Sequence, residues 1–229
     1  MITAVAASEN AEIFDLDGYG AVGFSKDQPV LLTRAQTVAM PHGSELMMLP
    51  DRPPVVYNLV EDRLETLTKN PFAPDEKIFA VAVFNSPGYV NRHFCAYEAP
   101  ADAGPLPLFS YGAVGFDRTR FRSAALQVDT EPRQDLRQMP RNRVIKGVGQ
   151  MQKTYPDNRL MRHLETCALQ YGCPAGKNFF LQRYEAPLPT SRVCNANCLG
   201  CISLQSGTKL HACQDRIAFT PTAEEIAQV

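Results

Sequence analysis

Three cysteines within eight residues, Cys194-Asn-Ala-Asn-Cys198-Leu-Gly-Cys201, constrain this chain more than any other feature. A cubane iron–sulfur cluster has four irons and is ordinarily held by four thiolates. Three thiolates in one loop leave one iron with an open position, the usual mark of a metal centre that performs chemistry. The spacing C-x3-C-x2-C differs from the bacterial ferredoxin run and from the plant-type C-x4-C-x2-C. The competing assignment is zinc, held by Cys198 and Cys201 with Cys194, His211 or Cys213 completing four ligands.

The flanks give the loop a context. Asn178-Phe-Phe-Leu-Gln-Arg-Tyr-Glu-Ala186 reads as a β-strand bounded by Pro187 and Pro189. Thr220-Pro-Thr-Ala-Glu-Glu-Ile226 reads as a helix start, with hydroxyl caps, an early proline and acidic first-turn residues. With this spacing and these flanks, the segment resembles the radical S-adenosylmethionine (SAM) superfamily. The resemblance implies a [4Fe–4S] cluster on Cys194, Cys198 and Cys201. It implies that SAM chelates the open iron, and that one electron from the cluster cleaves it to a 5′-deoxyadenosyl radical. The electron would come from a donor such as flavodoxin or ferredoxin. The resemblance also places Leu199 and Gly200 beside the adenine of SAM. Gly200 stands where the family commonly has an aromatic residue, and its lack of a Cβ lets the backbone approach the base. Asn195, Asn197 and nearby amides would tune the cluster through hydrogen bonds to sulfur. The family builds strand, cysteine loop and helix as the first unit of a (β/α) barrel, whose active sites lie at the C-terminal strand ends.

The expected fold is therefore α+β. A β-rich accessory domain occupies residues 1–130, a basic linker and an amphipathic helix occupy 131–177, and the first βα unit of an incomplete radical SAM barrel occupies 178–229. The helix from Thr222 has about two turns before Val229, and short helices are marginal alone. The chain is thus expected to be the N-terminal part of a longer protein, inactive by itself. The family's glycine- and glutamate-containing strand for the SAM amino group would lie beyond Val229.

Composition narrows the partners. Lys plus Arg total 23 against 24 Asp plus Glu, a net charge of −1 that gives no general pull toward nucleic acid or anionic membranes. No apolar run approaches the ~20 residues of a membrane span, and residues 1–10 do not read as a signal peptide. Seven cysteines, an odd number, argue against a secreted disulfide framework and for a reducing, cytoplasmic setting.

Along residues 1–130, four runs read as strands: Pro29–Thr33, Pro54–Val60, Lys77–Phe84 and Phe121–Val128. Tyr-Gly-Ala-Val-Gly-Phe occurs at 19–24 and again at 111–116, which suggests two similar strand pieces. Gly18, Gly20 and Gly23 match G-x-G-x-x-G, but Phe24–Pro29 cannot supply the helix a dinucleotide site needs, so the glycines read as turns or bulges. The basic stretch Arg133–Lys153, punctuated by Pro140, Gly147 and Gly149, reads as a linker rather than a phosphate-binding face. Asp157 is expected to cap a helix to Tyr171, with Gly172 as its stop. Cys167 lies on the apolar face of that helix, beside His163, and Cys173 follows the stop, where it could approach the cysteine loop as a fourth ligand of a non-catalytic module, as could Cys213 or His211. His93 and Cys95 share a strand face, where a metal pair competes with simple packing.

Overall fold

A computed structural model describes residues 2–26, 28–104, 106, 111–194, 196 and 216–229. The chain divides into two compact units, one of Met1–Leu106 with Ser110–Asp129 and one consisting mainly of Thr130–Val229.

The first unit is a sheet structure. Its strands are β1 (Thr3–Ser8), β2 (Ile13–Ser25), β3 (Gln28–Leu31), β4 (Val38–Ala39), β5 (Glu45–Met48), β6 (Val55–Asn58) and β7 (Arg63–Thr66). They continue as β8 (Lys69–Asn70), β9 (Ala73–Phe84), β10 (Tyr89–Asn91), β11 (Phe94–Cys95), β12 (Val114–Phe116), β13 (Phe121–Ser123) and β14 (Ala125–Gln127). The main path runs β4-β13-β12-β1-β2-β6-β7, with β9 joining β1 to β5 and β8, while β10 and β14 form a separate ribbon. Every named strand pairing is antiparallel.

β1 explains the centre of this unit. Successive side chains of a strand point to opposite faces, and β1 buries both. Ala4 and Ala6 join Leu16, Val56, Leu67 and Ile78 on one side. Val5 and Ala7 join Val81, Val83 and Val114 on the other. The two hexapeptide copies flank this strand, one within β2 and the other running into β12. A Cβ at Gly115, in the second copy, would collide with Ile2 and come within 2.7 Å of the Ala21 Cβ in the first. Glycine lets the strands close there. Gly18 acts differently: its φ of +83° lies in the left-handed region. It sits where the β1–β2 register shifts from Thr3↔Gly20 to Ala4↔Leu16.

The second unit is helical: α1 (Arg141–Thr154), α2 (Arg159–Leu169), α3 (Pro174–Phe180) and α4 (Ala223–Ala227). Its core joins Val144 and Val148 of α1, Leu160, Met161, Leu164 and Ala168 of α2, Phe179 and Phe180 of α3, and Ile217. The short α4 carries a capping box, with Thr222 accepting from Glu225 N–H. Ile226 and Val229 pack against the α1–α3 core, so the last turns do have an apolar partner.

Two readings need correction. The first βα unit of a (β/α) barrel is not present among the described residues: all their named strands precede Thr130, and 174–180 is a helix where 178–186 was expected to be a strand. Phe179 and Phe180 look like strand residues, but Pro174 opens a helix that turns both rings onto the helical core. Gly176 lets this helix approach Ala168, whose backbone nitrogen would lie 3.2 Å from a Cβ at that position. The second correction concerns residues 141–154, read as linker, which form α1. Gly147 marks close packing rather than flexibility, since a Cβ there would collide with the Phe180 carbonyl. The α2 helix starts one residue later than expected, with Asn158 Oδ1 accepting from Met161 N–H at 3.0 Å.

Candidate metal centre

The segment leading to the cysteine loop is held by one buried amide. Asn178 is fully buried, and its Nδ2 donates to the Arg133 carbonyl at 3.0 Å and to Glu185 Oε1 at 3.1 Å. Its Oδ1 accepts from Arg183 Nε at 3.1 Å. Gln182 and Tyr184 adopt positive φ values of 52° and 62°, which fold residues 181–186 into a tight reversal rather than an extended strand. Arg183 lies over the Tyr184 ring, 5.1 Å from its centroid. From Pro187 to Cys194 the chain forms neither helix nor strand, and Ser191 Oγ donates to the Val193 carbonyl at 2.9 Å.

Cys194 ends this segment as a free, exposed thiol. The other expected ligands, Cys198 and Cys201, lie outside the described residues. So do Leu199 and Gly200, expected at the adenine, and Asn195, Asn197, His211 and Cys213. The chain is described again at Arg216, and Ile217 enters the same core as Phe179 and Phe180. Described residues on both sides of the cysteine segment thus belong to one helical core.

The return is clamped electrostatically. Arg159 Nε donates to Glu225 Oε1 at 2.7 Å and its Nη2 to Oε2 at 2.8 Å, a bidentate pair. Hydrogen bonds from Arg159, then from the Thr222 N–H, hold the Glu225 carboxyl down at about 2. The Arg159 guanidinium also stacks on Phe219 at 4.5 Å.

The other thiols are placed apart from Cys194. Cys95 is buried, its Sγ donates to the Val81 carbonyl at 3.3 Å, and burial pushes its pKa up to about 12. Neither ring nitrogen of the buried His93 has a hydrogen-bond partner, and desolvation, then Arg92, lowers its pKa. Cys167 Sγ lies 3.6 Å from His163 Nε2. Cys173 stands at the start of α3, with its N–H donating to the Cys167 carbonyl at 2.9 Å. Among the described residues, no three His, Cys, Asp or Glu side chains converge as a metal site. The approach of Cys167 to Cys173 escaped the sequence reading. Its only signal is a C-x5-C spacing across a glycine.

The sheet unit has an open hollow of about 580 Å³ whose lining includes Glu9, Asp51, Lys69, Lys77, Phe79 and Asp102. Among the described residues, no helix is long and apolar enough to cross a membrane. No protein-family model matches the chain, and no curated protein or solved structure matches it.

Proposed function

We propose that the chain binds a [4Fe–4S] cluster through Cys194, Cys198 and Cys201 and places SAM at the fourth iron, as an entry to radical chemistry on an organic substrate. The observation that carries this reading is the C-x3-C-x2-C spacing, which supplies three thiolates and no fourth within the loop. The donor set fits the group: thiolates are the ligands such clusters use, and Cys194 is exposed, so metal need not displace packed side chains to reach it. When bound, the cluster with SAM supplies one-electron chemistry that protein side chains cannot.

The chain's own part is narrower. Cys194, Cys198 and Cys201 give up their protons on binding, so assembly weakens as pH falls. The Arg159–Glu225 clamp and the Asn178 network hold the described ends of the segment on one core. A flavodoxin- or ferredoxin-type donor in a reducing cytoplasm is the partner this reading calls for. On this reading the β-rich unit serves to recognise substrate.

Anaerobic reconstitution with iron and sulfide tests the ligands. Cys194→Ala, Cys198→Ala and Cys201→Ala should each lose the cluster, and its retention by Cys198→Ala would overturn the assignment. The electron paramagnetic resonance spectrum of the reduced cluster should change when SAM is added.

One observation favours a second reading, a non-catalytic iron–sulfur or zinc module. The residues before the loop are α3 and a reversal rather than a strand, so the context tying the spacing to SAM is weaker. A spectrum indifferent to SAM, but altered in Cys213→Ala, would establish a fourth protein ligand. Stoichiometric zinc without sulfide would establish the zinc form.

A further inference from the structure

We propose that Cys167 and Cys173 form a reactive dithiol that low-molecular-weight disulfides close into an intrachain disulfide. The reading is independent of the metal centre and rests on the end of α2. Gly172, at φ +70°, turns the chain back on itself. That turn brings the Cys173 N–H to 2.9 Å from the Cys167 carbonyl oxygen. Standard bond lengths then hold the two Cα atoms within about 6.8 Å, inside the roughly 4.4–6.8 Å that disulfides span. Both residues are half-buried rather than sealed in the core. Each has a polar neighbour suited to a different role.

Cys173 is the attacking thiol. A Cβ on Gly172 would lie 3.8 Å from Lys177 Nζ, so an ammonium stands beside the residue preceding Cys173. That ammonium is placed to pair with the Cys173 sulfur as it attacks. Cys167 is the resolving thiol. Burial, then the charge of Cys173, pushes its pKa up to about 11, so it waits as a thiol and not as a competing nucleophile. His163 Nε2, 3.6 Å from its Sγ, is placed to take its proton when it reacts.

The exchange balances without another reagent. The Cys173 thiolate attacks one sulfur of glutathione disulfide, the S–S bond breaks, and one glutathione thiolate leaves. Cys167 then passes its proton to His163, and its sulfur attacks Cys173 Sγ. The second glutathione leaves, and the two protons end on the released thiols. The protein has lost two electrons and two protons, and the glutathione disulfide has gained them.

Trypsin would release both residues in one peptide, His163–Lys177, separate from Cys194, Cys198 and Cys201. After exposure of the whole chain to glutathione disulfide and alkylation, this peptide should be two hydrogens lighter and carry no alkyl group. In Cys167→Ser the glutathione adduct on Cys173 should accumulate, because nothing resolves it. In Cys173→Ser, Cys167 should stay unmodified and alkylate after unfolding. A persistent glutathione adduct in the parent protein, or two alkylated cysteines, would overturn the proposal, as would absence of the Cys173 adduct in Cys167→Ser.

Discussion

In the sheet unit, β1 sends Ala4 and Ala6 to one apolar cluster and Val5 and Ala7 to another, and its buried thiol and imidazole are kept neutral by desolvation. In the helical unit one core gathers residues from α1, α2 and α3, and its buried polar groups answer one another, Asn178 with Arg183 and Glu225 with Arg159. Of the seven cysteines, the sheet unit holds Cys95 alone and the other six fall after Thr130. The difference lies in how each unit treats its cysteines and the residues that flank them. The strands bury apolar side chains on both faces of β1, and they also pair the buried Asp117 with Arg34 and Arg122. The helical unit carries the cysteine-rich segment and holds its described ends with hydrogen-bonded side chains.

The largest expected effect separates the two cores. Leu164→Ala and Leu16→Ala each remove a fully buried side chain and should cost about 2–5 kcal/mol. Hydrogen exchange should place the first loss in α1–α3 and the second in β1, β2 and β6. Equal loss of protection in both units from either variant would break the comparison.

A smaller effect concerns the strut. Asn178→Ala strands Arg183 Nε and the Arg133 carbonyl, and should cost about 1–3 kcal/mol. Asn178→Asp should not recover this, because its second oxygen would face the Glu185 carboxylate and the Arg133 carbonyl, which both need a donor. If alanine were as stable as the parent in urea unfolding, the amide would not be holding the approach to Cys194.

The acid response should differ between units. His93 has a lowered pKa in the folded chain, so the unfolded chain binds more protons below its ordinary value of 6.5. Its contribution is present above that pH and is lost as pH falls. Glu225, lowered from 4.5 to about 2, contributes above pH 4.5 and loses its contribution as pH falls toward 2. Sheet protection should therefore weaken first on acidification, and His93→Leu should remove that early slope. Glu225→Gln should remove the later one in α2 and α4. A sheet unit insensitive to pH between 7 and 5 would show that water reaches the His93 ring.

The smallest effect is local. Gly18→Ala places a side chain at φ +83° with open space around it, so only backbone strain is added, about 1 kcal/mol. Gly115→Ala, which meets Ile2 and Ala21, should cost more, and a reversed order by thermal unfolding would contradict the packing read at the second hexapeptide.

Much of this was legible in the residues. The runs at Pro54–Val60 and Lys77–Phe84 contain β6 and the end of β9, and the periodicity after Asp157 contains α2. The glycine stop at Gly172 takes the positive φ such stops favour. The cysteine spacing is legible in the residues alone and is the basis of the proposed metal loop. The approach of the Cys173 backbone to Cys167 was not legible, because a C-x5-C spacing acquires it only through the left-handed turn at Gly172.

By itself, then, the amino-acid order determined the strand-forming runs before Thr130, the helix between Asp157 and Gly172, and the close set Cys194, Cys198 and Cys201. Only the tertiary structure decided residues 141–154 and 174–186. There the local preferences are worth tenths of a kcal/mol to about 1 kcal/mol per residue. Burying the Phe179 and Phe180 rings contributes about 1.5–3 kcal/mol each, and Gly147 and Gly176 open the backbone approach that makes this burial possible. A strand-like string became a helix because the core it met was helical.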